Sequence, residues 1–118
     1  MTTILQSEVF MNSPVEEATD LGGGIRRTLL GYDDKILMAK VWFEAEAVGA
    51  VHTHPHSQVT YVVSGQFAAE VGGQTQLLGE GGCFFVPSMA PHGVVCVEPG
   101  ILIDVFSPAR EDFLAVEE

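Results

Sequence analysis

The hydrophobic positions of this chain come in short runs rich in Val, Phe, Leu and Thr, cut apart by glycines, and helical spacing is nearly absent. That pattern predicts an all-β barrel or sandwich. Strands are expected at Gly24–Leu30, Lys35–Ala45, Val51–His54, Gln58–Ser64, Gln66–Val71, Gln74–Leu78, Cys83–Val86, Gly93–Glu98 and Ile101–Phe106. Val71-Gly72-Gly73-Gln74 has the form of a two-residue hairpin whose glycines are free to take positive φ, and Gly79-Glu80-Gly81-Gly82 is a second break. After Pro108 the segment Ala109 to Val116 is expected to form a short closing helical turn, with Phe113 and Leu114 packing back on the barrel. Residues 1–20 carry Glu8, Glu16, Glu17 and Asp20 with no clear period. They are read as an N-terminal arm, and residues 21–118 as the barrel.

At 118 residues and 47% hydrophobic, the chain fits one domain with a modest core that needs no disulfide or metal staple. Its apolar runs are too short to cross a bilayer, and its start lacks a basic then apolar signal segment, so a soluble cytoplasmic protein with no membrane partner is expected. Five basic residues against sixteen acidic ones give a net charge of −11, which excludes a nucleic-acid partner because phosphate binding needs clustered Lys and Arg. An anionic small ligand is not excluded, since exposed charges are screened over about 8 Å while groups inside a pocket act at contact. Cys83 and Cys96 have neither metal-site nor redox spacing and read as buried, reduced thiols.

Strand alternation puts His52 and His54 on one side of the chain, and Gln58 and the later His92 complete a set that can close around one metal ion. Ordinary structural histidines are the competing reading. His56 keeps the two-residue spacing but follows Pro55 in an expected bend, which suits a solvent or supporting role better than ligation.

These residues carry a resemblance to the cupin superfamily. Its first motif, G-x5-H-x-H-x3,4-E-x6-G, is matched from His52-Thr53-His54 through Gln58 to Gly65, with Glu46 where the first Gly belongs and Gln58 for Glu. Its second, G-x5-P-x-G-x2-H-x3-N, is matched by Gly81, Pro87 and His92, with Met89 for Gly and Cys96 for Asn. The resemblance implies a small jelly-roll β-barrel with a metal in its mouth. His52-Thr53-His54-Pro55-His56-Ser57-Gln58, the stretch Tyr61 to Phe67 and the stretch Asp104 to Phe113 further resemble the KdgF-like small cupins of pectin and alginate catabolism. That likeness implies ring opening of 4,5-unsaturated monouronates to 5-keto-4-deoxyuronate, with metal on His52, His54, Gln58 and His92 and with Asp104, Phe106 and Arg110 lining a small anionic sugar. Small cupins are commonly dimers that cover strand edges, so a homodimer is expected.

The chemistry agrees with that implication. Four neutral ligands leave a divalent ion its full +2 charge, which favours an anion and disfavours redox work on dioxygen. Imidazole and amide suit Ni, Zn, Fe, Mn or Co without choosing among them. Asp104 and Phe106 lie on one strand face, with Ile101, Ile103 and Val105 on the other. Asp104 is placed to move a proton, or is a satisfied structural carboxylate. Arg110 can clamp a carboxylate bidentately, or pair with Glu111 or Asp112. Arg26, Arg27 and Lys40 are the other candidate pocket cations, against a plain solvated-strand reading. Trp42 and Phe43 read as barrel core or dimer interface. A cupin dioxygenase using Fe or Cu and a non-catalytic metal- or sugar-binding cupin are the alternatives.

Overall fold

The computed structural model describes residues 6–114. Its elements, after a 3-10 turn at Val15–Glu17, are strands β1 (Thr19–Gly22), β2 (Ile25–Tyr32), β3 (Leu37–Phe43), β4 (Val48–His52), β5 (Ser57–Val71), β6 (Gln74–Leu78), β7 (Cys83–Val86) and β8 (His92–Ser107). All pairings are antiparallel, in the order β1-β2-β3-β8-β5-β6, with β4 added to β8 and β7 to β5.

β5 and β8 are each longer than the pairs of short strands expected in their place, because each crosses from one layer of the jelly roll to the other. Ser57–Ser64 of β5 pairs with the second half of β8, and Gln66–Val71 with the first half. Irregular register between Val62 and Phe67 marks the corner. Gly65 sits there at φ 84°, and a Cβ on it would come within 2.6 Å of the carbonyl oxygens of Glu98 and Pro99. Only glycine lets the two backbones cross so closely.

Alternation fills the barrel. Leu37, Ala39, Val41 and Phe43 of β3, Val62, Phe67 and Ala69 of β5, and Val94, Cys96, Leu102 and Phe106 of β8 form one buried cluster. Phe43 and Phe67 meet edge to face at 5.2 Å. The Val71-Gly72-Gly73-Gln74 hairpin forms as the sequence predicts, with both glycines at positive φ. Cys83 departs from expectation: a run of four apolar residues looks wholly buried, but β7 alternates, so Cys83 and Phe85 face out while Val86 faces in. Both thiols are free, and only Cys96 is buried.

At the amino end, Thr19 and Asp20 already pair with Arg27 and Arg26, so strand structure begins inside the stretch read as an arm. At the other end residues 111–113 form a hydrogen-bonded turn rather than a longer helix, and 115–116 of the expected segment lie outside the described residues. Phe113 and Leu114 do pack on the core. No helix among the described residues is long and apolar enough to cross a membrane.

Candidate metal centre

His52 ends β4 and His92 begins β8, and the two are direct partners across that ladder. Their rings lie 4.3 Å apart between centroids. His54 does not reach them by strand alternation, because β4 ends at His52; it comes from the loop beyond. That loop is tied to the one before β8 by the Met89 N–H, which donates to the His54 carbonyl at 2.9 Å. One donor atom from each of His52, His54 and His92 lies within 4.8 Å of the other two.

The backbone decides which nitrogen each ring offers. Nδ1 of His52, His54 and His92 faces the carbonyl of Ala50, His56 and Ala90 at 2.9, 3.1 and 3.0 Å. A ring nitrogen beside a carbonyl holds the proton, so all three present a bare Nε2 to the cluster. Burial lowers the pKa of both His54 and His92, which keeps those rings neutral. Nε2 of His92 is sealed from solvent with no hydrogen-bond partner among the described residues.

Gln58 is the second residue of β5, and its side chain shares the inward face with Thr60 and Val62. Its amide Nε2 donates to Thr60 Oγ1 at 2.9 Å, and Thr60 in turn donates to Asp104 Oδ1 at 2.6 Å. This turns Gln58 Oε1 toward His54 Nε2, 3.0 Å away. A neutral His54 has one proton for two facing oxygens, so a pair of acceptors is left in opposition on one side of the ring. A cation shared by Nε2 and Oε1 removes that conflict and also supplies the partner that His92 lacks. The residues present therefore fit a metal.

Asp104 stands opposite Thr60 in the β5–β8 ladder. It keeps some contact with solvent but lies in a dense shell of protein, and a cavity of about 110 Å³ joins it to His52, Gln58 and His92. Burial raises its pKa to about 6, against the lowering effects of the Thr60 hydrogen bond, Arg110, Arg27 and His52. Such a carboxyl exchanges its proton near neutral pH.

Phe106 is 2% exposed, so its ring supports the site from beneath, edge-on to His54 at 5.8 Å and to Phe113 at 5.6 Å. Arg110 lies over Phe106 at 5.1 Å, while its Nε and Nη2 donate to the two carboxylate oxygens of Asp112 at 2.9 and 2.7 Å. The ion-pair reading of Arg110 is thus realised at the edge of the site. His56 is buried, not solvent-facing, and its Nε2 meets Glu111 at 2.9 Å, which pins the C-terminal turn to the metal-site loop. Arg27 faces the same region, with its guanidinium 3.9 Å over Phe113. Arg26 faces out, and Lys40 donates to Ser13 on the outer side of β3. Thr60 and the His56–Glu111 pair were not legible as site residues. Thr60 has only its position two after Gln58 as a signal, and its pairing with Asp104 depends on the register between distant strands.

The two glycine positions of the cupin motifs that carry other residues, Glu46 and Met89, are the non-glycine residues at positive φ among the described residues, at 70° and 68°. The left-handed backbone is kept at both positions without glycine. A family model described as "Cupin domain" matches residues 41–106. The chain is 39% identical to the pectin degradation protein KdgF of Dickeya dadantii (strain 3937) over 97 residues, 80% of this chain and 88% of that protein. Among solved structures, an RmlC-like cupin from Shewanella frigidimarina NCIMB 400 matches with TM-score 0.86 and 50% identity, covering 92% of this chain and 97% of that one. KdgF from Halomonas sp. matches with TM-score 0.80 and 36% identity, covering 82% and 90%. The chain belongs to the cupin family and is a small cupin resembling KdgF.

Proposed function

We propose that this protein linearises 4,5-unsaturated monouronates, the end products of pectin or alginate lyases, to 5-keto-4-deoxyuronate. His52, His54, Gln58 and His92 would hold a divalent transition metal (Ni, Zn, Fe, Mn or Co), with Asp104 facing the sugar, Phe106 buried beneath the site and Arg110 at its edge. The observation that carries this reading is the hydrogen-bonded run Gln58–Thr60–Asp104, which joins the three-imidazole cluster to a carboxyl with a pKa of about 6. Similarity to the pectin degradation protein KdgF supports it. When bound, the metal supplies a positive charge that polarises an anionic oxygen of the sugar.

The chain's own residues handle the proton. Asp104 takes the proton of the C1 hydroxyl as the bond from C1 to the ring oxygen breaks, which leaves an aldehyde at C1 and an enolate at C5. The same carboxyl then delivers a proton to C4, leaving the ketone at C5. No atom is gained or lost, so one group that both accepts and donates suffices, and such a group contributes about 10²- to 10⁴-fold. Thr60 holds the carboxyl toward the cavity, and the buried Phe106 keeps water from beneath His54.

The test is the decay of the conjugated enol-ether absorbance of unsaturated galacturonate with metal-replete protein. Decay at the uncatalysed rate sinks the proposal. An oxygen electrode separates a dioxygenase, and saturable binding without decay separates a non-catalytic cupin. The same reading has a homodimer act in the cytoplasm, which sedimentation of the pure protein and cell fractionation check.

A further inference from the structure

Arg27 is a second cation of the site that the proton chemistry leaves unused. It projects from β2 on the side of its ladder partner Val41, which is buried, and so faces the barrel interior. Its guanidinium lies 3.9 Å from the centroid of Phe113, and Arg110 lies 4.2 Å from the same ring. One aromatic ring thus holds two guanidinium groups, each attracted to its π system and repelled by the other. Their situations differ. Arg110 has spent its Nε and Nη2 donors on Asp112. Arg27 has no carboxylate or carbonyl partner among the described residues, although it is half-buried.

Burial lowers the Arg27 pKa, and Arg110 lowers it further, while Asp112 and Asp104 act the other way. A partly desolvated guanidinium with its planar fork unused gains most from an anion that pairs with it bidentately. Phe113 is suited to fix the plane of that fork, since the ring is itself held edge-on by Phe106. Phe113 stays in place because Glu111, two residues earlier, is anchored to His56.

We propose that Arg27 is the group that pairs with the substrate's carboxylate, with Phe113 as the shelf that orients it and Arg110, locked to Asp112, as a positioning residue. That the anion is a uronate C6 carboxylate rests on the proposed function; that Arg27 seats a sugar carboxylate does not. The distinction can be measured with D-galacturonate, which has no enol ether to react, and its neutral C6 amide as binding probes on the metal-loaded protein. The unmodified protein should bind the acid about ten- to a hundredfold more tightly than the amide, and Arg27→Gln should bring that ratio close to one. Arg27→Lys, which keeps the charge without the fork, should recover part of it.

With unsaturated galacturonate, Arg27→Gln should raise KM by a similar factor while kcat changes less than about threefold. An acid-to-amide ratio unchanged in Arg27→Gln overturns the proposal. So does a loss in which the melting temperature and kcat fall along with the rise in KM and Arg27→Lys is no better than Arg27→Gln, since that is the behaviour of a packing role on Phe113. Arg27-dependent binding of galacturonate in a protein that does not accelerate absorbance decay leaves the carboxylate seat standing and defeats the ring-opening function instead.

Discussion

Replacing Asp104 by Asn should make the metal-free protein more stable at mildly alkaline pH while removing its turnover. The Asp104 carboxyl has an ordinary pKa of 3.8 and is raised to about 6 in the folded protein, roughly two units. Each unit corresponds to about 1.36 kcal/mol, so the shift amounts to about 3 kcal/mol. The folded state holds this proton more tightly than the unfolded chain does. Its contribution is therefore fully present below about pH 4 and is lost as pH rises through about 6; above that the ionised carboxylate is a net cost. Asn has the same shape, carries no charge, and its Oδ1 still accepts from Thr60. Allowing for relaxation around the charge, Asp104→Asn should gain about 2 kcal/mol over the parent at about pH 8 and almost nothing at about pH 4. Urea denaturation of both chelator-treated proteins across that range measures the gap, and taking the difference at each pH cancels the titration of the four histidines. Metal should narrow the gap, because a divalent cation nearby favours the ionised carboxylate. A pH-independent gap, or an Asn variant less stable than the parent at pH 8, would refute the assignment of Asp104 as a carboxyl raised by burial.

Thr60→Val keeps the shape of a fully buried side chain but strands the Gln58 amide and removes a donor from Asp104, at a cost of about 2–4 kcal/mol; it should also weaken metal binding about ten- to a hundredfold in chelator competition, because the Gln58 oxygen loses its orientation. Met89→Gly should raise stability by about 0.5–1 kcal/mol in thermal melts, since Met89 is held at φ 68° where a side chain costs roughly 1–2 kcal/mol. Gly65→Ala should do the reverse by about 3 kcal/mol or more, seen as loss of folded protein, because its Cβ meets two carbonyl oxygens at 2.6 Å in a left-handed backbone. Arg110→Ala should lower turnover with metal content unchanged by elemental analysis, since Arg110 acts on the site through Asp112, Phe106 and Phe113 rather than through the imidazoles.

The all-β class, the Gly72-Gly73 hairpin and the convergence of His52, His54, Gln58 and His92 were legible in the sequence. Turn chemistry, period-two alternation and ligand spacing are local properties that survive without knowledge of neighbours. Alternation also put Asp104 and Phe106 on one face in advance, and the barrel turns that face inward. The outward side of Cys83 and the crossing of β5 between layers at Gly65 were not read, because which side of a strand meets the core, and where a strand passes between layers, depend on the chain opposite. The same is true of the chemistry. Sequence supplied the donors of a metal centre and the local Arg110–Asp112 pairing as an option, but only tertiary register set Thr60 against Asp104 and brought Arg27 over Phe113. The Thr60–Asp104 and Arg27–Phe113 contacts join residues far apart in the chain, and their energies depend on distance and burial, which spacing along a sequence does not encode.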